Sequence, residues 1–185
     1  MPTDTIIVQS IVLSFCYYSF MEASPVTMKT LKPNEMKFWQ GYLDSLPASA
    51  RPILPYVEAA FPGNRKIADG LLDLYLTGEK TAGSSLVKDF EAAGDRLPAI
   101  GSYWIILDSK DTPACIVKTV NVACNLFKDI PELIAKAEGE GDCSVAYWKK
   151  AHGALFSPYL EKLGINDLQN AMILTEFFKV VYRPY

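Results

Sequence analysis

Two strongly β-forming runs, Tyr103-Trp104-Ile105-Ile106-Leu107 and Cys115-Ile116-Val117-Lys118-Thr119-Val120-Asn121-Val122, are separated by a polar turn at Ser109-Lys110-Asp111. Aromatic and β-branched residues in succession suit a pleated surface covered on both faces, and so short a connection makes the two runs pair as an antiparallel hairpin. A third run of this kind extends from about Met172 to Tyr182. Elsewhere the pattern is helical. After Pro33, Asn34 is placed to cap a helix whose Met36, Trp39, Leu43 and Leu46 recur at three- and four-residue steps, with Phe38 and Tyr42 widening the apolar face and Pro47 ending it. Beyond Pro62-Gly63, Asn64 is placed to cap a second helix through Ile67, Leu71, Leu74 and Tyr75, and Gly78 is its natural stop. Pro131 to Ala137 reads as helical, and Ser144 caps a helix carrying Val145, Trp148 and Leu155 until Pro158 interrupts it. Strands apolar on both sides, joined by hairpins and interrupted by helices, predict an α+β fold whose antiparallel sheet curls toward a barrel.

A chain of 185 residues, half of them hydrophobic, fills one sizeable core, so a single domain is expected over residues 28–185. The apolar run Ile6 to Phe20 is too short and too often interrupted by serine and glutamine for a membrane span, and no basic residue precedes Lys29. Residues 1–27 are therefore expected to form a tail outside the domain, with Met21 or Met28 as alternative starts, and no membrane association is expected. With 18 basic and 21 acidic side chains the net charge is -3, so any contact with nucleic acid has to be local. Cys16, Cys115, Cys124 and Cys143 show no Cys-x-x-Cys pair and suit free thiols in a reducing, cytoplasmic setting. His152 is the only histidine, and no zinc-ligand spacing is present, so neither a metal nor a cofactor is expected.

Two glycine-containing segments combine reactive side chains with a freely turning backbone. The first, Gly78-Glu79-Lys80-Thr81-Ala82-Gly83-Ser84-Ser85, sets one lysine among three hydroxyls. It is not a phosphate loop, because Glu79 stands where a glycine should precede the lysine and a helix rather than a strand leads in. The second, Glu138-Gly139-Glu140-Gly141-Asp142, alternates carboxylates with glycines but lacks both the calcium-loop pattern and the dinucleotide fingerprint. Both segments are expected to be loops, converging on one pocket around Lys80 and Glu140. His152, Trp104, Trp148, Phe156 and Tyr159 are expected to be core or core-edge side chains.

The blocks Ala68-Asp69-Gly70-Leu71-Leu72, Gly78-x-Lys80-Thr81-Ala82, Leu97-Pro98-Ala99-Ile100-Gly101 entering Trp104-Ile105-Ile106-Leu107-Asp108, and Glu138 to Asp142 followed by Trp148 and His152 together resemble an ASCH domain. The resemblance runs from about Phe38 to Phe178 and implies a PUA-like antiparallel β-barrel flanked by helices, with a cleft for RNA or a nucleoside-like ligand. Some small relatives hydrolyse N4-acetylcytidine with a lysine, a threonine and a glutamate, and others are described as ribonucleases. In the family pattern Gly-x-Lys-x-x-Thr-x-Arg, Gly78 and Lys80 match, Gly83 takes the threonine position and Ser85 the arginine position, and the glutamate falls on Glu140. The implied function is binding of RNA, a nucleotide or a modified nucleoside through Gly78, Lys80, Thr81, Gly83, Ser84, Ser85 and Glu140. In that reading Lys80 contacts a phosphate or base carbonyl and Glu140 accepts from an amino group. The alternative is a metal-independent hydrolase with Lys80, Glu140 and, in place of the threonine, Ser84 as catalytic residues.

Overall fold

The computed structural model describes residues 30–53 and 55–183. Residues 1–29, with Cys16, Met21 and Met28, lie outside them. In chain order the described elements are α1 (Pro33–Ser45), β1 (Val57–Ala60), α2 (Ala68–Thr77), β2 (Ala82–Leu86), α3 (Val87–Ala93), β3 (Tyr103–Leu107), β4 (Pro113–Leu126), α4 (Glu132–Glu138), α5 (Val145–Phe156) and β5 (Met172–Tyr182), with short 3₁₀ turns between them. The strands form one curled sheet, a half-barrel of order β1-β3-β4-β5-β2, and the fold is α+β.

The hairpin of β3 and β4 forms as expected, with Tyr103 opposite Lys118 and Ile105 opposite Ile116. Strands β4 and β5 pair antiparallel from Ile116 and Tyr182 at one end to Leu126 and Met172 at the other, with register shifts at Ile116/Val117 and Thr119/Asn121. Bulges of this kind bend long strands, which is how two extended ladders curl instead of lying flat. Alternate residues of β3 enter different clusters. Tyr103, Ile105 and Leu107 pack with Tyr42 of α1, whereas Ile106 packs with Leu72 and Tyr75 of α2. The sheet is thus buried on both faces, the physical meaning of its uninterrupted apolar strands. A third cluster joins Ile134, Trp148 and Phe156 of α4 and α5 to Leu86 and Ile173.

Several local features depart from the sequence reading. Helix α1 starts at Pro33, which favours the first helical position, and the capping contact is the Lys32 N–H to Glu35 at 2.7 Å. Asn34 sits inside the first turn and donates to the Asp111 carbonyl. Asn64 accepts from Lys66 N–H at 3.0 Å in a lead-in turn, and α2 begins only at Ala68. Segment 82–85, expected to be loop, is strand β2, because antiparallel pairing with β5 supplies partners that glycine and serine propensity does not suggest. Strand β1 and helix α3 were not foreseen. Three of the four strand pairings are antiparallel, but β1 runs parallel to β3.

Helices α2 and α4 both end on glycines in left-handed conformation, Gly78 (φ 83°) and Gly139 (φ 68°), which turn the chain sharply toward the same place. A methyl group at Gly78 would meet nothing within 4 Å, while one at Gly139 would lie 2.4 Å from the Glu79 carbonyl oxygen. Gly78→Ala is therefore expected to cost about 1–2 kcal/mol from backbone strain alone. Gly139→Ala should cost roughly 3 kcal/mol or more, since backbone must also move. Urea unfolding of the two variants checks this, and equal losses would contradict it.

Candidate functional site

The turn after α2 and the turn after α4 are tied together by backbone. Thr81 N–H donates to the Ala137 carbonyl at 2.7 Å, and the Thr81 hydroxyl donates to the same oxygen at 3.0 Å. This docking carries Lys80 inward until only 4% of it is exposed. Its ammonium donates to Glu138 Oε2 at 2.8 Å and to Glu140 Oε1 at 2.7 Å. Glu138, 1% exposed, is the hub of the cluster: its Oε1 accepts from the Trp148 indole N–H at 2.7 Å and lies 3.5 Å from His152 Nε2. Trp148 and His152 are four residues apart and so share one face of α5. Their rings stack at 4.0 Å, and His152 Nδ1 is 3.1 Å from the Trp148 carbonyl, which can only accept.

Burial works against charge on Lys80, but the Glu138 and Glu140 carboxylates outweigh it and hold the ammonium above its ordinary pKa. Burial likewise opposes ionisation of Glu138, yet Lys80 and His152 hold its carboxyl well below the usual range. The lysine is therefore a permanently charged clamp and not a base poised to take a proton.

Lys80 stands between two cavities. One, of about 390 Å³, is bordered by Glu140, Gly83, Ser84 and Ser85. The other, of about 640 Å³, is bordered by Gly78 and Thr81 with Lys179 and Arg183. The expected site residues thus divide: Lys80 and Glu140 converge, Gly83, Ser84 and Ser85 join them in the first cavity, and Gly78 and Thr81 face the second. The Ser84 hydroxyl is hydrogen-bonded to Thr175 at 2.8 Å.

Glu138, rather than Glu140 alone, makes the buried half of the site. The sequence did carry a signal: an acid in the last turn of a helix opposes the dipole and needs compensation from elsewhere. His152 was expected at the core edge and is buried, but it belongs to the charged cluster. Glu176 was also missed, although a carboxylate in the apolar run Met172 to Tyr182 is conspicuous. It borders the first cavity and accepts from the Thr119 hydroxyl at 2.8 Å.

The sequence profile of the ASCH domain matches residues 58–182, a span that includes both turns, Lys80, Glu138, Glu140 and all five strands but for the first residue of β1. The chain belongs to the ASCH domain family. It is similar to the crystal structure of an ASCH domain from Lactobacillus crispatus JV V101, with 28% identity and a TM-score of 0.77 over 85% of this chain and 100% of that one. It is also similar to a protein from Enterococcus faecalis V583, with 28% identity and a TM-score of 0.68 over 80% of this chain and 87% of that one. No curated protein matches the sequence significantly. Among the described residues of this ASCH protein, no helix is long and apolar enough to cross a membrane, and no group of three or more His, Cys, Asp or Glu side chains is arranged to hold a metal ion.

Removing one partner of a buried ion pair strands the other, so Lys80→Met is expected to cost about 3–5 kcal/mol. Because Lys80→Met and Glu138→Gln remove the same contact, the double variant should lose roughly 1–3 kcal/mol less than the sum of the singles, measured by urea unfolding. The folded-state pKa of Glu138 is depressed, so its contribution is full above the ordinary 4.5 and is lost as pH falls through the folded value. Lys80 is raised, so its contribution is full below 10.5 and is lost only as pH climbs beyond. Glu138→Gln should consequently flatten the acid limb of the stability curve and leave the limb up to pH 10.5 with its wild-type slope.

Proposed function

We propose that this ASCH protein binds an uncharged, nucleoside-like ligand, a free nucleoside or an unpaired base of RNA, in the cavity beside Lys80. The observation that carries this reading is the charge of the lining. Glu58, Asp89, Asp95, Glu138, Glu140 and Glu176 border the cavity, and Lys80 is its single lysine. Such a lining repels a phosphate. The Lys80 ammonium, already donating to two carboxylates, is the wall of the pocket and not the phosphate contact expected from sequence. A cavity of about 390 Å³ with Phe61, Phe90, Trp104 and Phe156 in its walls suits a flat, partly apolar heterocycle held by a few polar groups. Membership of the ASCH family favours RNA or its components over other heterocycles.

The hydrolase alternative requires a hydroxyl against the Lys80 amine. The hydrogen bonds of Thr81 and Ser84 run instead to Ala137 and Thr175, and the charged clamp lacks a proton vacancy. Binding without turnover is the better supported reading.

Titration calorimetry with the four ribonucleosides and their 5′-monophosphates tests it. At least one nucleoside should bind no more weakly than its monophosphate, and its Kd should change by less than about twofold between roughly 50 and 200 mM salt, since no counterions are displaced. Tighter, strongly salt-dependent binding of monophosphates would overturn the reading. Turnover of N4-acetylcytidine would replace it with the hydrolase.

A further inference from the structure

Glu176 is a carboxylate of this cavity that the Lys80 cluster leaves out. It lies on β5 directly across the ladder from Gly83, so the two positions project to the same face of the sheet. Gly83 offers no side chain there, and a Cβ built on it would meet only Phe178 at 3.7 Å and the Tyr75 hydroxyl at 3.8 Å. The strand therefore leaves open, beside Glu176, a space that almost any other residue would fill. Glu176 is half-buried, and one oxygen, Oε1, is fixed by the Thr119 hydroxyl at 2.8 Å. The residue borders the cavity. Trp104, in the same lining, has a fully buried indole N–H with no hydrogen-bond partner among the described residues.

The surroundings determine which form of the carboxyl is presented. Glu58 on β1, Tyr75 on α2, Asp89 on α3, Asp95 after it, Tyr159 after α5, and Glu138 at the end of α4 with Glu140 after it are the acidic and titratable groups lining the cavity with it. Lys80 is committed to the last two, and His152 stacks on Trp148 beside Glu138. Burial, reinforced by Glu58 and opposed by the Thr119 hydrogen bond, raises the Glu176 carboxyl to about 7. A neutral carboxylic acid donates one hydrogen bond and accepts another side by side, whereas a carboxylate only accepts. The first matches any base edge with one acceptor beside one N–H: the ring nitrogen and amino group of cytosine or adenine, and equally the N3–H and carbonyl of uracil or the N1–H and carbonyl of guanine. The second matches an edge with two adjacent N–H donors.

We propose that Glu176, reached through the space beside Gly83, holds the ligand by pairing its carboxyl with the hydrogen-bonding edge of the base. This assignment rests on the nucleoside reading of the cavity and adds to it the residue and the edge. Gly83 then matters for the access it gives, which the threonine of the family pattern would close.

Calorimetric titration of cytidine, adenosine, uridine and guanosine into the wild-type chain, Glu176→Ala, Glu176→Gln and Gly83→Val, at about pH 6 and about pH 8, decides the matter. The wild type should bind cytidine or adenosine, whose edges lack two adjacent N–H donors, about tenfold more tightly at the lower pH, the size expected for one well-made bidentate pair. Guanosine, whose N1–H and amino group suit the carboxylate, should gain on them at the higher pH. Glu176→Ala should lose roughly tenfold in affinity for the favoured base. Glu176→Gln, whose carboxamide offers the same donor and acceptor with no proton to lose, should keep that binding and make it independent of pH. Gly83→Val, checked for folding by thermal melting, should weaken every nucleoside by obstruction. Binding by no nucleoside overturns the cavity reading and this assignment with it. Nucleoside binding that is indifferent to Glu176, or whose pH response persists in Glu176→Gln, overturns this assignment alone.

Discussion

A lysine ammonium cannot be taken out of water unless counter-charges come with it, because the desolvation cost is several kcal/mol per ion even after relaxation. Lys80 is buried, and the architecture around it follows from that demand. Its partners come from the far side of the sequence, so the end of α2 and the end of α4 have to meet. Glu138 in turn sits at the disfavoured end of its helix and needs a cation of its own. Each charge is tolerable only in the presence of the other. The Trp148 and His152 rings complete the arrangement by taking up Glu138's second oxygen, which leaves the carboxylate contacted on both oxygens.

Where the sequence was legible, one physical signal dominated its window. The hairpin of β3 and β4 and the strand β5 announce themselves through aromatic and β-branched runs, and α5 through Ser144 as its cap, which accepts from Tyr147 N–H as expected. Val57–Ala60 and Ala82–Leu86 carry no such signal. Val-Glu-Ala-Ala and Ala-Gly-Ser-Ser-Leu are short stretches, mostly of residues with little β propensity, that become strands only because β3 and β5 offer them partners. That information is tertiary and is not present in a local window. The caps assigned to Asn34 and Asn64 failed for a related reason: each asparagine lies near a helix start, but the capping positions are Lys32, ahead of Pro33, and Ile67, after the turn before Ala68.

The site was half legible. The conjunction of Lys80 with the acidic glycine stretch was readable because glycines and charges cluster there. Glu138 was read as part of the acidic loop although it closes α4, while His152 and Glu176 were hidden by the rule that usually serves well, that a residue in a regular element belongs to its packing. Ionisable side chains inside apolar elements are the exception, because their burial has to be compensated by something. The distribution of Gly78 and Thr81 to one cavity and Gly83 to Ser85 to another also escaped a linear reading, since the onset of strand β2 between them reverses which way the chain faces.

The half-barrel is unclosed between β1 and β2, the two edge strands, and the smaller cavity is bordered by Glu58 and Ala60 of one and by Gly83 to Leu86 of the other. Neither edge is zipped to the other, so the gap between them is an aperture whose width is dictated elsewhere, by how tightly β4 and β5 are bent at their register shifts. Residues at those bends, remote from any ligand, act as the hinge pins of the mouth: straightening the ladder there would spread the edges apart, and tightening it would draw them together.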